Sequence, residues 1–392
     1  MEPTIGSDSS SSSELDGLFA ALKSLQDLLI SSGGYINPNI KFKHESEAGV
    51  GIFLQNAMNC GDVALSVPYS SCISVDMVTK DPNLNSIFVD NPGLFNYPDE
   101  ILCIGLMYAA IHKDVDCCEW SIHSRTLPRT LNTTLFWSDE ELIELKDTNV
   151  FHLTRMMKAQ IANDWSSIHE PISSSYPDLL SGATIELYTW ALAMVYSRAI
   201  GIQRHGQYIR CIPPVLDMAN HNMRAGNEAS DTFDFDDTQD MIKLLVTKPY
   251  SVGEELYAVY GDYGNAKLAH TYGFVLRTPS HVAVDLWTKV SPKTTNGIEK
   301  QNILQSHALT ATQTYDFEGT IRSGGYISSA LLTTIRVIQA TEEELQSGAV
   351  QLAYSQQRLI SVRNEFATYS SLRELLLIRM KPELAEVCLN LL

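Results

Sequence analysis

Apolar residues at positions 15, 18, 22, 25, 28 and 29 recur at the spacing of one helix face, so LDGLFAALKSLQDLLI, Leu15 to Ile30, predicts an amphipathic helix. Gly33 and Gly34 stop it. From Lys41 to Val75 the pattern changes to short runs rich in β-branched residues, GVGIFLQ, DVALSVP and SCISV, separated by the turn-like NCGD and PYSS. The paired glycines of GVG, Gly49 and Gly51, fit either a strand bulge or a place where backbone approaches another segment or a ligand. From about Asn91 to Tyr196 the stripe is helical again. PDEILCIGLMYAAIHK opens on a Pro–Asp start, WSDEELIELKDT carries a capping box in Ser138 and Glu141, and VFHLTRMMKAQIANDWSSIH follows. The last of these helices, TIELYTWALAMVYSRAI, is apolar nearly all round and is expected to be buried. Its polar end, Ser197–Arg198, fits a site or simple exposure equally well.

The densest chemistry lies between Pro213 and Phe274. PPVLDMANHN gathers Asp217, Asn220 and His221. After an acidic run and an apolar strand, GEELYAVYGDYGNAKLAHTYGF brings Tyr257, Tyr260, Tyr263, Tyr272 and Phe274 within eighteen residues of a chain that is 9% aromatic. A hairpin is expected between the two clusters. HVAVDLWTKV, His281 to Val290, reads as the last strand, and from Gly297 to Leu392 the signal is helical.

Composition narrows the class. A chain of 392 residues exceeds one ordinary core and predicts two or three lobes. No apolar run reaches the eighteen residues of a membrane helix. The net charge of −18 argues against general affinity for nucleic acid or anionic membrane. It fits a Lys/Arg-rich partner or plain solubility. Seven cysteines without a CxxC pair support neither a disulfide framework nor a zinc site, and place the chain in a reducing compartment, cytoplasm or nucleus. The acids at Glu2, Asp8, Glu14 and Asp16 contradict a secretory or transit signal, and the serine run Ser9–Ser13 reads as a disordered tail.

Several site types can be weighed on PPVLDMANHN. Asp217 and His221 stand four apart, as a metal pair could, but no third ligand is near. Asp231, Asp234, Asp236, Asp237 and Asp240 lack the pattern of an EF-hand loop and read as a solvated turn or as attraction for a basic substrate. Ser197, His221 and Asp217 could assemble a hydrolase triad, yet there is no GxSxG elbow. No GxGxxG or Walker loop is present. The Asn–His pair alone decides little.

The order of motifs, GVGIFLQNAMNCGDVALSVP, WALAMVYSRAI, PPVLDMANHN and GEELYAVYGDYGNAKLAHTYGFV, resembles that of SET-domain protein methyltransferases. The subgroup it resembles is typified by the Rubisco large-subunit lysine methyltransferase. The resemblance implies an α+β fold: a SET β-fold with a pseudoknot, interrupted by a helical insert and followed by an all-α C-terminal substrate-binding domain. The implied divisions are a disordered tail over 1–14, the N-terminal helix and first SET part over 15–90, the insert over 91–190, the second SET part over 191–290 and the helical domain over 291–392. The cofactor implied is S-adenosylmethionine, leaving as S-adenosylhomocysteine, with no metal.

Carried over residue by residue, the resemblance makes Tyr260 the catalytic tyrosine. Val50, Ser197, Asp217, Asn220, His221 and Phe274 become cofactor contacts. Arg198, Tyr272 and Phe274 become the substrate side of the lysine channel. Where the family often shows Glu before the glycine-rich strand, this chain has Ala48, with Glu47 one place earlier. The activity implied is lysine N-methylation of a non-histone protein, ribosomal or otherwise basic, by a monomer that binds neither nucleic acid nor membrane. A histidine methyltransferase of the same fold, or a silent scaffold binding a partner through its C-terminal lobe, are the alternatives.

Overall fold

The apolar runs between Tyr35 and Leu256 pair into three small antiparallel sheets. The computed structural model describes residues 9–46, 48–146, 148–222, 232–261, 263–277, 282–306, 312–320, 324–327, 329–350 and 359–379. It divides into two units, Met1–Asp262 with Lys267–Val275, and Tyr263–Ala266 with Leu276–Leu392.

In the first unit, strands β1 (Tyr35–Ile36), β2 (Ile40–Glu45), β3 (Gly49–Leu54), β4 (Val63–Pro68) and β5 (Ile73–Ser74) precede a run of helices. β6 (Ile200–Arg204), β7 (Gln207–Ile212), β8 (Phe233–Asp236), β9 (Met241–Leu245) and β10 (Glu255–Leu256) follow it. The sheet orders are β1-β4-β9-β8, β10-β3-β2 and β5-β7-β6, so strands from before and after the helices share every sheet. In the middle sheet β10 pairs with β3, Leu256 opposite Ile52. That pairing draws the aromatic-rich segment onto the GVG strand.

The N-terminal helix spans Ser9–Ser31 and buries Leu22, Leu25 and Leu29 against Ile52, Leu65 and Ile242. Each such leucine contributes about 1.5–3 kcal/mol through apolar burial. The serine run read as disordered is the first turn and more of this helix: Ser9–Ser13 joins the helical register once the following leucines anchor it. Helices between Val75–Lys80 and Ile185–Arg198 form a second core around Ile101, Leu102, Ile104, Trp120, Tyr188 and Met194. This helical block starts at Val75, ahead of the expected position 91. The short pieces Val75–Lys80 and Asn85–Asp90 are too brief to display a periodic stripe. The Ser138–Glu141 capping box forms in both directions, at 3.2 and 2.8 Å.

The acidic run is a hairpin turn. Asp236 accepts the amides of Thr238 and Gln239 and pairs with Lys243 at 2.8 Å, while Asp240 holds Arg204 through two bonds of 2.6 and 2.9 Å. Asp231 lies outside the described residues.

The second unit carries helices at Gly297–Ser306, Ser329–Gln339, Glu342–Gln346 and Val362–Arg379, as the C-terminal stripes indicate. It also carries a sheet, β11 (Val282–Lys289), β12 (Thr312–Thr320) and β13 (Gly324–Ile327) in sequential order, so this region is helical in the main but not all-α. β11, read from sequence as the close of the SET part, pairs with β12 over eight positions and belongs here. The alternation in TQTYDFEGT and the glycine pair at Gly324 are strand and turn signals that the stronger helical stripes on either side overshadow. Arg336 and Glu365 join two of the helices through a two-bond ion pair, and Asn364 donates to the Arg336 carbonyl at 3.0 Å. Helical stripes within 351–358 and 381–392 lie outside the described residues.

Candidate active site

The site assembles where residues 219–222 run beside residues 258–260. His221 bridges Ala258 in parallel fashion, the Ala258 amide donates to the Asn220 carbonyl at 2.8 Å, and the Asn222 amide donates to the Ala258 carbonyl at 3.0 Å. Two segments some forty residues apart in sequence are thereby locked in register.

A strained turn delivers the first of them. Val215 is fully buried at φ 68°, ψ −40°, and the Leu216 amide donates to the Pro214 carbonyl at 2.7 Å. Positive φ in a β-branched residue is an outlier costing on the order of 1–3 kcal/mol. It redirects the chain from Pro213–Pro214 into the single 3-10 turn Leu216–Met218 that carries Asp217.

Asp217 has no exposed side-chain surface. Arg198, the last residue of the helix Ile185–Arg198, donates to its Oδ2 at 3.0 Å and to its carbonyl at 2.9 Å. His123 Nε2 stands 3.4 Å from the same oxygen, near enough to act on its charge without an aligned hydrogen bond. Burial by itself pushes this carboxyl up; His123 and the Arg198 guanidinium outweigh it and hold Asp217 below the usual carboxylate range. Asp217 therefore sits behind Arg198. Ser197 is not drawn into this network, because its hydroxyl donates back to the Ala193 carbonyl at 2.7 Å.

Asn220 is fixed by Glu255, whose Oε1 accepts from Asn220 Nδ2 at 2.8 Å. The contact passes over Gly51: a Cβ there would lie against Glu255 Oε1 and 3.0 Å from Asn220 Nδ2. Of the two alternatives for GVG, close approach is the one observed. Val50, beside it on β3, packs on the edge of the same core as Tyr260. Glu47 lies outside the described residues.

His221 Nδ1 accepts the Tyr260 amide at 3.1 Å, which leaves the neutral ring's proton on Nε2. Burial lowers the His221 pKa and favours that neutral form. The rings of His221 and Tyr260 lie 5.1 Å apart, Tyr260 and Tyr272 4.9 Å, Tyr272 and Phe274 6.2 Å, and Phe274 and His221 6.0 Å. Four rings thus pack as one aromatic cluster. Tyr260 brings to it a hydroxyl that donates to the Ala219 carbonyl at 2.8 Å. Burial pushes that phenol up to about 12, so it is a neutral hydrogen-bonding group at physiological pH.

Of the residues singled out in sequence, Arg198, Asp217, Asn220, His221, Tyr260, Tyr272 and Phe274 converge. Val50 flanks them, and Ser197 is adjacent only through the chain. Sequence reading missed His123 and Glu255. Glu255, a charge in a strand that otherwise reads apolar, offered a signal; His123 offered none. Five buried polar atoms here, Arg198 Nε, Asp217 Oδ1, His221 Nε2 and both ring nitrogens of His123, have no hydrogen-bond partner among the described residues. Such orphans are rare in native cores and mark a site built to meet something else. Among the described residues, no group of three His, Cys, Asp or Glu is placed to hold a metal ion, and no helix is long and apolar enough to cross a membrane.

This architecture is the SET-domain fold with a split β core. The model superposes on Rubisco LSMT bound to AdoMet with a TM-score of 0.66, at 20% identity, covering 90% of this chain and 80% of that one. The SET domain of LSMT bound to lysine and AdoHcy matches equally well. Residues 292–381 match the family model described as Rubisco LSMT substrate-binding. In particular, then, the chain is similar in fold to Rubisco LSMT and, over residues 292–381, to its substrate-binding domain. By sequence it is 28% identical over 229 residues to the chloroplastic [fructose-bisphosphate aldolase]-lysine N-methyltransferase of Arabidopsis thaliana, covering 56% of this chain and 45% of that protein. It is 22% identical over 307 residues to the Rubisco large subunit N-methyltransferase of Nicotiana tabacum, covering 74% and 57%. An actin-histidine N-methyltransferase of Canis lupus familiaris matches at 24% over 234 residues, covering 58% and 38%. The chain spans about half the length of the curated relatives it matches.

Proposed function

We propose that this protein is an S-adenosylmethionine-dependent methyltransferase acting on a lysine side chain of a non-histone protein. The observation that carries it is the Tyr260 hydroxyl, oriented by the Ala219 carbonyl within the ring cluster of His221, Tyr272 and Phe274. The cofactor's fit rests on the orphaned atoms. Donors at His221 Nε2 and Arg198 Nε suit a carboxylate or a ring nitrogen, and the acceptor at Asp217 Oδ1 suits an ammonium. Bare backbone at Gly51 lets the Glu255–Asn220 hydrogen bond pass close over the strand and so fixes Asn220. Asn220, His221, Arg198 and the Val50 strand would hold the cofactor, which supplies a methyl group on a sulfonium.

The protein's own residues address the acceptor. A lysine must present a neutral amine, and with a reference pKa of about 10.4 that costs roughly 4–5 kcal/mol at pH 7. A cluster of rings disfavours the ammonium and lowers that cost. Tyr260 spends its one proton on Ala219, so its lone pairs are left to receive an N–H and aim the amine lone pair. With its phenol pushed up to about 12, it orients and does not act as a base.

Histidine is the second acceptor to consider, because actin-histidine methyltransferases are among the relatives. Transfer of labelled methyl from S-adenosylmethionine into a hypomethylated protein extract, followed by mass spectrometry of the modified residue, tests both. Methyl-lysine supports the leading reading and methyl-histidine replaces it. Absence of cofactor binding to the purified chain leaves only a partner-binding scaffold.

A further inference from the structure

Behind the ring cluster lies a polar group that the chemistry above does not use. His270 sits in the turn Leu268–Tyr272, two residues before Tyr272, and is buried. Its Nδ1 lies 3.3 Å from the Thr134 hydroxyl and 3.2 Å from the Thr154 hydroxyl, and the two hydroxyls are 2.6 Å apart. Thr134 and Thr154 are fully buried and come from different elements of the helical insert, the turn Thr134–Phe136 and the helix Asn149–Asp164. Three hydrogen-bonding groups from three elements satisfy one another with no charge among them, since burial draws the His270 pKa down to about 4.

The next residue but two completes the attachment. Gly273 adopts φ 81°, and a Cβ on it would stand 2.7 Å from the Asn132 carbonyl carbon and 2.8 Å from the Thr133 nitrogen. The segment bearing Tyr272 and Phe274 is thus pressed onto insert backbone by a glycine and pinned by a histidine. Apolar packing alone would hold such a turn in place, but without fixing its rotation. Hydrogen bonds are directional, so the pair of threonines also fixes how the two rings face Tyr260.

We propose that His270, held by Thr134 and Thr154, is a positioning residue that sets the orientation of the Tyr272 and Phe274 rings and so the alignment of the acceptor side chain. It rests on the reading of those rings as channel walls.

The test uses the full chain labelled with 3-fluorotyrosine, the Tyr272 fluorine signal being assigned by its loss in Tyr272→Phe. The variants are His270→Leu, His270→Asn and the near-isosteric pair Thr134→Val/Thr154→Val, which removes both hydroxyls while keeping volume and serves if His270→Leu does not fold. The Tyr272 signal is expected to shift or split in His270→Leu and in the double variant. It should return toward wild type in His270→Asn, whose amide can pair in either polarity. In methyl transfer, kcat should fall on the order of tenfold to a hundredfold in the first two, as a small misplacement does. Cofactor affinity should stay within about twofold, since Asn220, His221, Arg198 and the Val50 strand are untouched, and KM should rise by less than kcat falls. An unmoved Tyr272 signal in both disruptive variants overturns the proposal. If the signal moves and is rescued while wild type transfers no methyl group to any lysine, the positioning role stands and the lysine reading falls. If transfer occurs and both the signal and kcat are unmoved, the positioning role alone falls.

Discussion

The Tyr260 hydroxyl donates to the Ala219 carbonyl at 2.8 Å, joining a side chain from one segment of the site to the backbone of the other. One hydrogen bond here serves both structure and the proposed chemistry. It satisfies a carbonyl in the buried Ala219 segment and leaves the oxygen's lone pairs as a polar feature of the ring cluster.

Tyr260→Phe is expected to cut turnover on the order of a hundredfold or more, the effect of losing one oriented group at a reaction centre. Cofactor affinity, measured by calorimetry, should remain within about twofold because the ring is retained. The Ala219 carbonyl then lacks its partner, so stability should also fall, by about 1–3 kcal/mol in denaturant unfolding. Full turnover in this variant would rule out the orienting role.

Two glycines two residues apart on β3, Gly49 and Gly51, should behave differently. Gly51→Ala places a methyl 3.0 Å from Asn220 Nδ2 and against Glu255, so cofactor affinity should drop while the fold persists. At Gly49 nothing lies within 4 Å of the added carbon, but φ is 72°, so Gly49→Ala should lower stability by about 1 kcal/mol with affinity unchanged. Calorimetry and thermal melts on the two variants separate the effects; equal losses of affinity would contradict the close-approach role of Gly51.

Asp217→Asn removes the charge that Arg198 and His123 surround. Breaking a buried pair in this way costs about 3–5 kcal/mol, and unfolding midpoints should show it. The acid response gives a second check. Asp217 has a lowered folded pKa, so its stabilisation is present above the unfolded value near 3.9 and is lost as pH falls through the lower folded value. That limb of the stability curve should be missing from the variant.

Histidine burial acts in a higher window. His270 ionises near 6.5 when unfolded and at about 4 when folded, so between those values the unfolded chain binds more protons and stability rises with pH. Folding stability should therefore decline as pH falls from 6.5 toward 4, with no further contribution from this group below that. Replacement by Asn should flatten the decline; an unchanged slope would mean that another group dominates.

The acceptor's own pKa sets the rate profile. With lysine as acceptor and transfer rate-limiting, the rate should rise toward roughly pH 8–9 as the neutral amine becomes more abundant. With histidine it should level off above about pH 7, since imidazole is by then neutral. Single-turnover measurements across that range discriminate the two even before the modified residue is mapped.

Much of this was legible in the chain. The leucine stripe from 15 to 29, the buried helix ending at Arg198 and the clusters at Asp217–His221 and Tyr257–Phe274 depend on local periodicity and residue type, which sequence carries directly. What the sequence could not supply was which groups meet. His123 reaches Asp217 across 94 positions, Glu255 reaches Asn220 across 35, and Thr134 reaches His270 across 136. His123 and Thr134 stand in no motif, and although Glu255 and His270 lie within GEELYAVYGDYGNAKLAHTYGFV nothing in that stretch names their partners, so only the folded chain reveals the pairings. The strands of 312–327 were overlooked for a related reason: a strand's stability depends on the partner beside it, whereas a helix announces itself in its own residues. Sequence by itself determined the elements, the split order of the β core and the residue types of the site. Tertiary structure alone decided the clustering of the rings, the protonation of His221 and the direction of the Tyr260 proton. Those are set by distances and burial among segments that the chain order keeps far apart.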